Sequence, residues 1–155
     1  MLAPAVEHQN DIVGAVMARS TAVGAYVATT QIDTRGMKRG ALAGLSAYGD
    51  GENALGIAFG DGKIILWRRE KNHQQTITTV GAPSAPLLSL RMMAKDGHRF
   101  RFAWSHNGRD WQDVGDEIDG SYLPPWDRGV RVALTAGGAV GAAGKFAYLR
   151  MVPSR

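Results

Sequence analysis

Asp50-Gly51, Asp61-Gly62, Asp96-Gly97 and Asn107-Gly108 cut the chain into stretches that alternate apolar and polar residues. Asp-Gly and Asn-Gly are the strongest short-range signals for a β-hairpin, because the tightest hairpin loops need positive φ. A chain punctuated in this way folds back and forth as antiparallel strands. Eleven strands are expected, over residues 11–19, 26–33, 41–48, 52–59, 63–70, 74–80, 87–94, 99–105, 111–114, 130–136 and 145–152. No stretch holds a helical period for three turns. The Pro-rich segments 82–86 and 124–125 are too short to be domain linkers. The expected fold is all-β: a single two-sheet antiparallel β-sandwich of jelly-roll type over residues 1–155, with residues 1–10 as a loose N-terminal arm.

One hairpin can be read to its register. Leu88, Leu90 and Met92 alternate with Ser89 and Arg91, and Phe100, Phe102 and Trp104 alternate with Arg99 and Arg101. A two-residue Asp96-Gly97 loop would set apolar residues opposite arginines. A three-residue loop, Lys95-Asp96-Gly97, pairs Ala94 with His98 and sets Met92 opposite Phe100, Leu90 opposite Phe102 and Leu88 opposite Trp104. A slip of one residue turns every side chain to the other face, so the apolar pattern selects the three-residue loop.

Composition narrows the function classes. The chain has 45% apolar and 21% charged residues, which suits a globular domain with a sizeable core. It has no cysteine, so disulfides and thiolate metal sites are excluded. The net charge of +4 is spread along the chain and not gathered on one face, which argues against a nucleic-acid interface. No apolar run is long enough to span a bilayer, and residues 1–10 lack the basic start and apolar run of a signal peptide.

Several segments carry a resemblance when taken in order. They are Ala43-Gly44-Leu45, the hairpin Phe100-Arg101-Phe102-Ala103-Trp104-Ser105 with Asn107-Gly108-Arg109-Asp110-Trp111, and the closing Phe146-Ala147-Tyr148. Together they resemble the C-terminal concanavalin A-like β-sandwich attached to family 43 glycoside hydrolases (β-xylosidases and arabinofuranosidases), and less closely laminin-G-like modules. The likeness runs from about Val16 to Val152. It implies a non-catalytic accessory module that binds a polysaccharide or oligosaccharide weakly, or packs against a catalytic hydrolase domain. A protein–protein or homodimer module without sugar binding is the alternative. Ala147 stands where such modules usually carry aspartate, and the loop before Val130 departs from the family pattern.

Candidate residues follow from chemistry. Sugar rings stack on exposed aromatic faces, and Trp126, Trp67, Tyr122 and Tyr48 are the carbohydrate-binding candidates. Trp67 neighbours Arg68 and Arg69, which suggests exposure; Trp126 and Tyr122 lie in or beside a Pro-rich loop. Trp104 and Trp111 read as core by alternation. Glu117-Ile118-Asp119 starts like the Glu-x-Asp-x-x-Glu strand of concanavalin A-like endoglucanases, but Tyr122 replaces the final glutamate. Glycoside hydrolysis needs two carboxylates facing each other across the bond. A small glycosidase using Glu117 and Asp119 therefore ranks third, and no catalytic residue is assigned. Asp113, Asp116, Glu117 and Asp119 offer hard oxygen donors for a structural calcium, but their spacing matches no EF-hand, and no cofactor or metal is assigned. Ser105 to Trp111 also looks like a degenerate Asp-box. One copy makes no propeller, so Ser105 is expected to satisfy turn amides.

Overall fold

The computed structural model describes residues 1–124 and 130–155. A 3-10 turn, Val6–His8, precedes twelve strands among the described residues. They are β1 Ala15–Arg19, β2 Tyr26–Asp33, β3 Leu42–Tyr48, β4 Ala54–Gly60, β5 Lys63–Glu70, β6 His73–Gly81, β7 Leu87–Lys95, β8 Arg99–Ser105, β9 Gln112–Asp113, β10 Ile118–Asp119, β11 Arg131–Gly137 and β12 Lys145–Pro153. The first sheet has the order β1-β11-β3-β4-β5-β6. The second has β10-β8-β7-β2-β12, with β9 paired to β8. Leu2 bridges Gly144, which ties the start of the chain to the β11–β12 connection.

Two-residue periodicity builds the core. Leu45, Leu55, Ile57 and Leu66 of the first sheet meet Ile32, Leu90, Met92 and Phe102 of the second, all of them fully or almost fully buried. At Asp61-Gly62 both residues take positive φ (50° and 70°), so β4 turns straight into β5 with Gly60 paired to Lys63. Burying each of these large side chains stabilises the fold by about 2 kcal/mol.

The β7–β8 hairpin corrects the expected register. Its loop has three residues, as the apolar pattern demands, but it is Asp96-Gly97-His98, and Lys95 pairs with Arg99. Met92 therefore faces Phe102 and Leu90 faces Trp104, two residues away from the expected partners. A shift of two keeps every side chain on its face, so the pattern alone could not separate the two registers. Asp96 and Gly97 both take positive φ (56° and 76°), and this places the turn one residue later.

Ser105 organises the next turn. Its Oγ accepts the Gly108 N–H at 2.9 Å and the Asn107 N–H at 3.3 Å, while Asn107 Oδ1 accepts the N–H groups of Arg109 and Asp110. Ser105 is almost fully buried. Trp111, expected in the core, is only half-buried and lies 4.3 Å beneath the Arg91 guanidinium. Ser105→Ala is expected to cost about 1 kcal/mol in urea unfolding, because it removes the buried hydroxyl that accepts two turn amides. A cost indistinguishable from zero would show that water replaces the hydroxyl.

Candidate functional site

Side chains alternate across a strand, so the first sheet has an outward face behind the core. Leu55, Ile57 and Leu66 point into the core; Ala54, Ala58 and Trp67, each next to one of them in sequence, point outward. Ser46 shares that face, since Leu45 and Ala47 beside it belong to the core, and it pairs with Gly56, which pairs with Trp67. Thr135 lies one row further along, paired with Gly44, which pairs with Ala58. The middle of the face therefore carries small residues around one indole, with Leu42, Tyr48 and Ile65 at its margin.

Residues 11–14 cover it as a strap. Ile12 and Val13 are 4% and 9% exposed and pack with Ala54, Ala58 and Trp67 in a second apolar cluster. A strand was expected from residue 11, but β1 begins at Ala15. Asp11 Oδ1 accepts the Val13 N–H at 3.0 Å, and the Asp11 carbonyl accepts the N–H groups of Gly14 and Gly138. This local turn peels residues 11–14 off the sheet edge and lays them on the face.

Asp11 latches the strap. Arg69 Nη2 donates to Asp11 Oδ1 at 2.6 Å and Nη1 to Oδ2 at 3.3 Å. The same guanidinium donates to the Gly51 carbonyl and to Gln74 Oε1. Burial pushes the Asp11 carboxyl up, but the Arg69 hydrogen bond, the Val13 N–H and the positive charges of Arg69 and His8 outweigh it and hold it below its ordinary value.

The predicted site residues scatter. Trp67 has no exposed surface, because the strap lies on it; the expected exposure is corrected, and its ring offers no open platform. Tyr48 is half-buried at the margin of the same cluster, where burial first, then the Asp50 charge, raises its hydroxyl pKa. Tyr122 belongs to the margin of the inner core instead. Its hydroxyl donates to the Ala54 carbonyl at 2.9 Å, Arg68 sits 4.8 Å over its ring, and burial pushes its pKa up to about 12. Trp126 lies outside the described residues.

The acidic segment contains a short paired strand, β10, which is not among the eleven expected strands. Buried Ile118 separates exposed Glu117, 3.7 Å from Arg99, and exposed Asp119, whose Oδ1 accepts the Ser121 N–H. Among the described residues no group of three or more His, Asp or Glu side chains could hold a metal ion.

Reading the sequence missed Asp11, Ile12, Val13, Arg69, Ser46 and Thr135 as members of one surface. Two signals were present: a turn-forming Asp11 before two apolar residues, and Gly14 immediately before β1.

Two antiparallel sheets in this order, packed around one core, define a concanavalin A-like β-sandwich. Residues 8–149 match the β-xylosidase C-terminal concanavalin A-like domain, and the chain belongs to that family. Solved structures agree on the fold. A GH43 protein of Bacillus licheniformis superposes with a TM-score of 0.76 at 23% identity, over 88% of this chain and 29% of that one. A xylan β-1,4-xylosidase of Bacillus halodurans gives 0.74 at 16% identity over 88% and 29%. A bifunctional GH43-CE protein of Bacteroides eggerthii gives 0.77 at 18% over 90% and 20%. This chain thus spans less than a third of each of those proteins. A search of curated proteins finds no match.

Proposed function

We propose that this sandwich is a non-catalytic accessory module that packs against a glycoside hydrolase domain. The observation that carries the reading is coverage: 88% of this chain aligns with only 29% of the Bacillus licheniformis GH43 chain. The site geometry supports a non-catalytic role. Glu117 immediately precedes the two-residue strand that holds Asp119; the two are engaged with Arg99 and Ser121 and lie on one short segment, not on opposite sides of a cleft.

The test is co-expression with the glycoside hydrolase domain encoded with it or beside it in its genome. Co-purification and a raised unfolding temperature of the hydrolase are expected. Separate elution at micromolar concentration would overturn the reading. A stable dimer in sedimentation, with no hydrolase bound, would favour the oligomerisation alternative.

A further inference from the structure

Trp67 Nε1, Arg69 Nε, Ser46 Oγ and Thr135 Oγ1 are all buried without a hydrogen-bond partner. Their side chains are at least nine-tenths buried. All four belong to the outward face of the first sheet, beneath or beside the strap. Buried polar groups are normally paired, because an orphaned donor costs about 1–3 kcal/mol. A cluster of such donors on one face is the signature of a surface built for oxygen acceptors that the strap does not supply.

The strap supplies only part of that chemistry. Asp11 gives Arg69 a carboxylate in a forked pair, and Ile12 and Val13 give Trp67 an apolar cover. Indole N–H and guanidinium Nε–H can only donate, and the two hydroxyls can donate as well. The Arg69 side chain is 8% exposed, whereas that of Asp11 is 36% exposed. A group that replaced residues 11–13 would therefore do best with an acidic function for the buried guanidinium, which otherwise keeps only the Gly51 carbonyl and Gln74 Oε1. It would also bring hydroxyl or ether oxygens for the other donors and an apolar face for the indole. A hexuronate-bearing oligosaccharide has all three.

We propose that the outward face of the first sheet is a binding site for a uronate-bearing oligosaccharide, with the strap as its displaceable occupant and Asp11 standing where the sugar carboxylate would lie. The choice of a glycan over other carboxylates rests on the accessory-module reading. A neutral oligosaccharide cannot replace the Asp11 carboxylate, so the strap also acts as a filter for acidic sugars.

Titration calorimetry of the whole chain with trigalacturonate, and with xylotriose as the neutral probe, tests this. A site closed most of the time binds with an affinity reduced by its open fraction. Weakening the latch with Asp11→Asn is therefore expected to tighten trigalacturonate binding by about tenfold or more. Adding Arg69→Met should abolish it, and xylotriose should not bind to any variant. Ile12→Ala loosens the strap without touching Arg69 and serves as a second opened variant should Asp11→Asn fail to fold. A folded opened variant that binds trigalacturonate no better than the parent overturns the proposal, and so does equal binding of xylotriose. The two readings fail separately: separate elution from the hydrolase overturns docking, whereas the uronate titration judges only this face.

Discussion

Trp67→Ala is expected to lower the unfolding free energy by about 3–5 kcal/mol, the largest effect of any single truncation proposed for this protein. The indole has no exposed surface and is sandwiched between β5 and the strap. Its loss removes the burial of a large aromatic and opens a cavity. On the sheet side Ala54, Ala58 and the backbone of Gly56 cannot fill the gap, and Ile12 and Val13 of the strap, with Ile65, Leu42 and Tyr48 at the margin, can close it only in part. Urea unfolding with an unchanged m-value would measure it. Trp67→Phe should cost clearly less, because it keeps much of the ring volume and deletes an N–H that has no protein acceptor. Equal costs for the two variants would mean that the indole N–H is paired after all. A cost below about 1 kcal/mol for Trp67→Ala would place the ring in a solvent-like setting and remove the basis for a covered face.

Gly137→Ala is expected to be the next most damaging change, at about 3 kcal/mol. A Cβ on Gly137 would lie 1.7 Å from the Asp11 carbonyl oxygen and 2.9 Å from its carbon. Neither side can yield cheaply. Gly137 is held in the β11–β3 ladder opposite Leu42, and the Asp11 carbonyl is fixed by the N–H groups of Gly14 and Gly138. The strap therefore has to lift, taking Ile12 and Val13 off Trp67. Besides the stability loss, the amides of residues 12–14 should exchange hydrogen faster while those of β7 and β8 stay protected. Uniform exchange across the chain would show that the strap is not a separable element.

The strands were legible because their chemistry is local. β2, β5 and β8 run over the residues expected from apolar alternation, and most other strands differ by a residue or two at their ends. Alternation fails where both faces of a strand are covered. β4 is buried along its whole length, and in β5 the pattern Ile64-Ile65-Leu66-Trp67 has apolar groups on both sides. A sequence pattern cannot tell an apolar residue facing solvent from one facing a strap contributed by residues more than fifty positions away. Exposure of Trp67 was expected from its neighbours Arg68 and Arg69, and the strap overrides that local signal. Trp111 failed in the opposite sense, since its partner is Arg91 on the outward side of the second sheet and not the core. β10 was overlooked because two residues carry no period; its pairing with Phe100 and Arg99 exists only in three dimensions.

The sequence by itself determined the two-sheet antiparallel architecture, the positive-φ turns at Asp61-Gly62 and Asp96-Gly97 (though not at Asp50-Gly51, where φ is not positive and five residues join β3 to β4), the membership of the main core and the family likeness. Each of these rests on neighbours within one hairpin or on a repeated two-residue period. The tertiary structure alone decided what lies on the outside of the first sheet. Asp11 reaches Arg69 across fifty-eight positions, and Thr135, Ser46 and Trp67 come together only when β11, β3, β4 and β5 are set side by side. Such contacts depend on sheet order and loop closure, which no local pattern encodes.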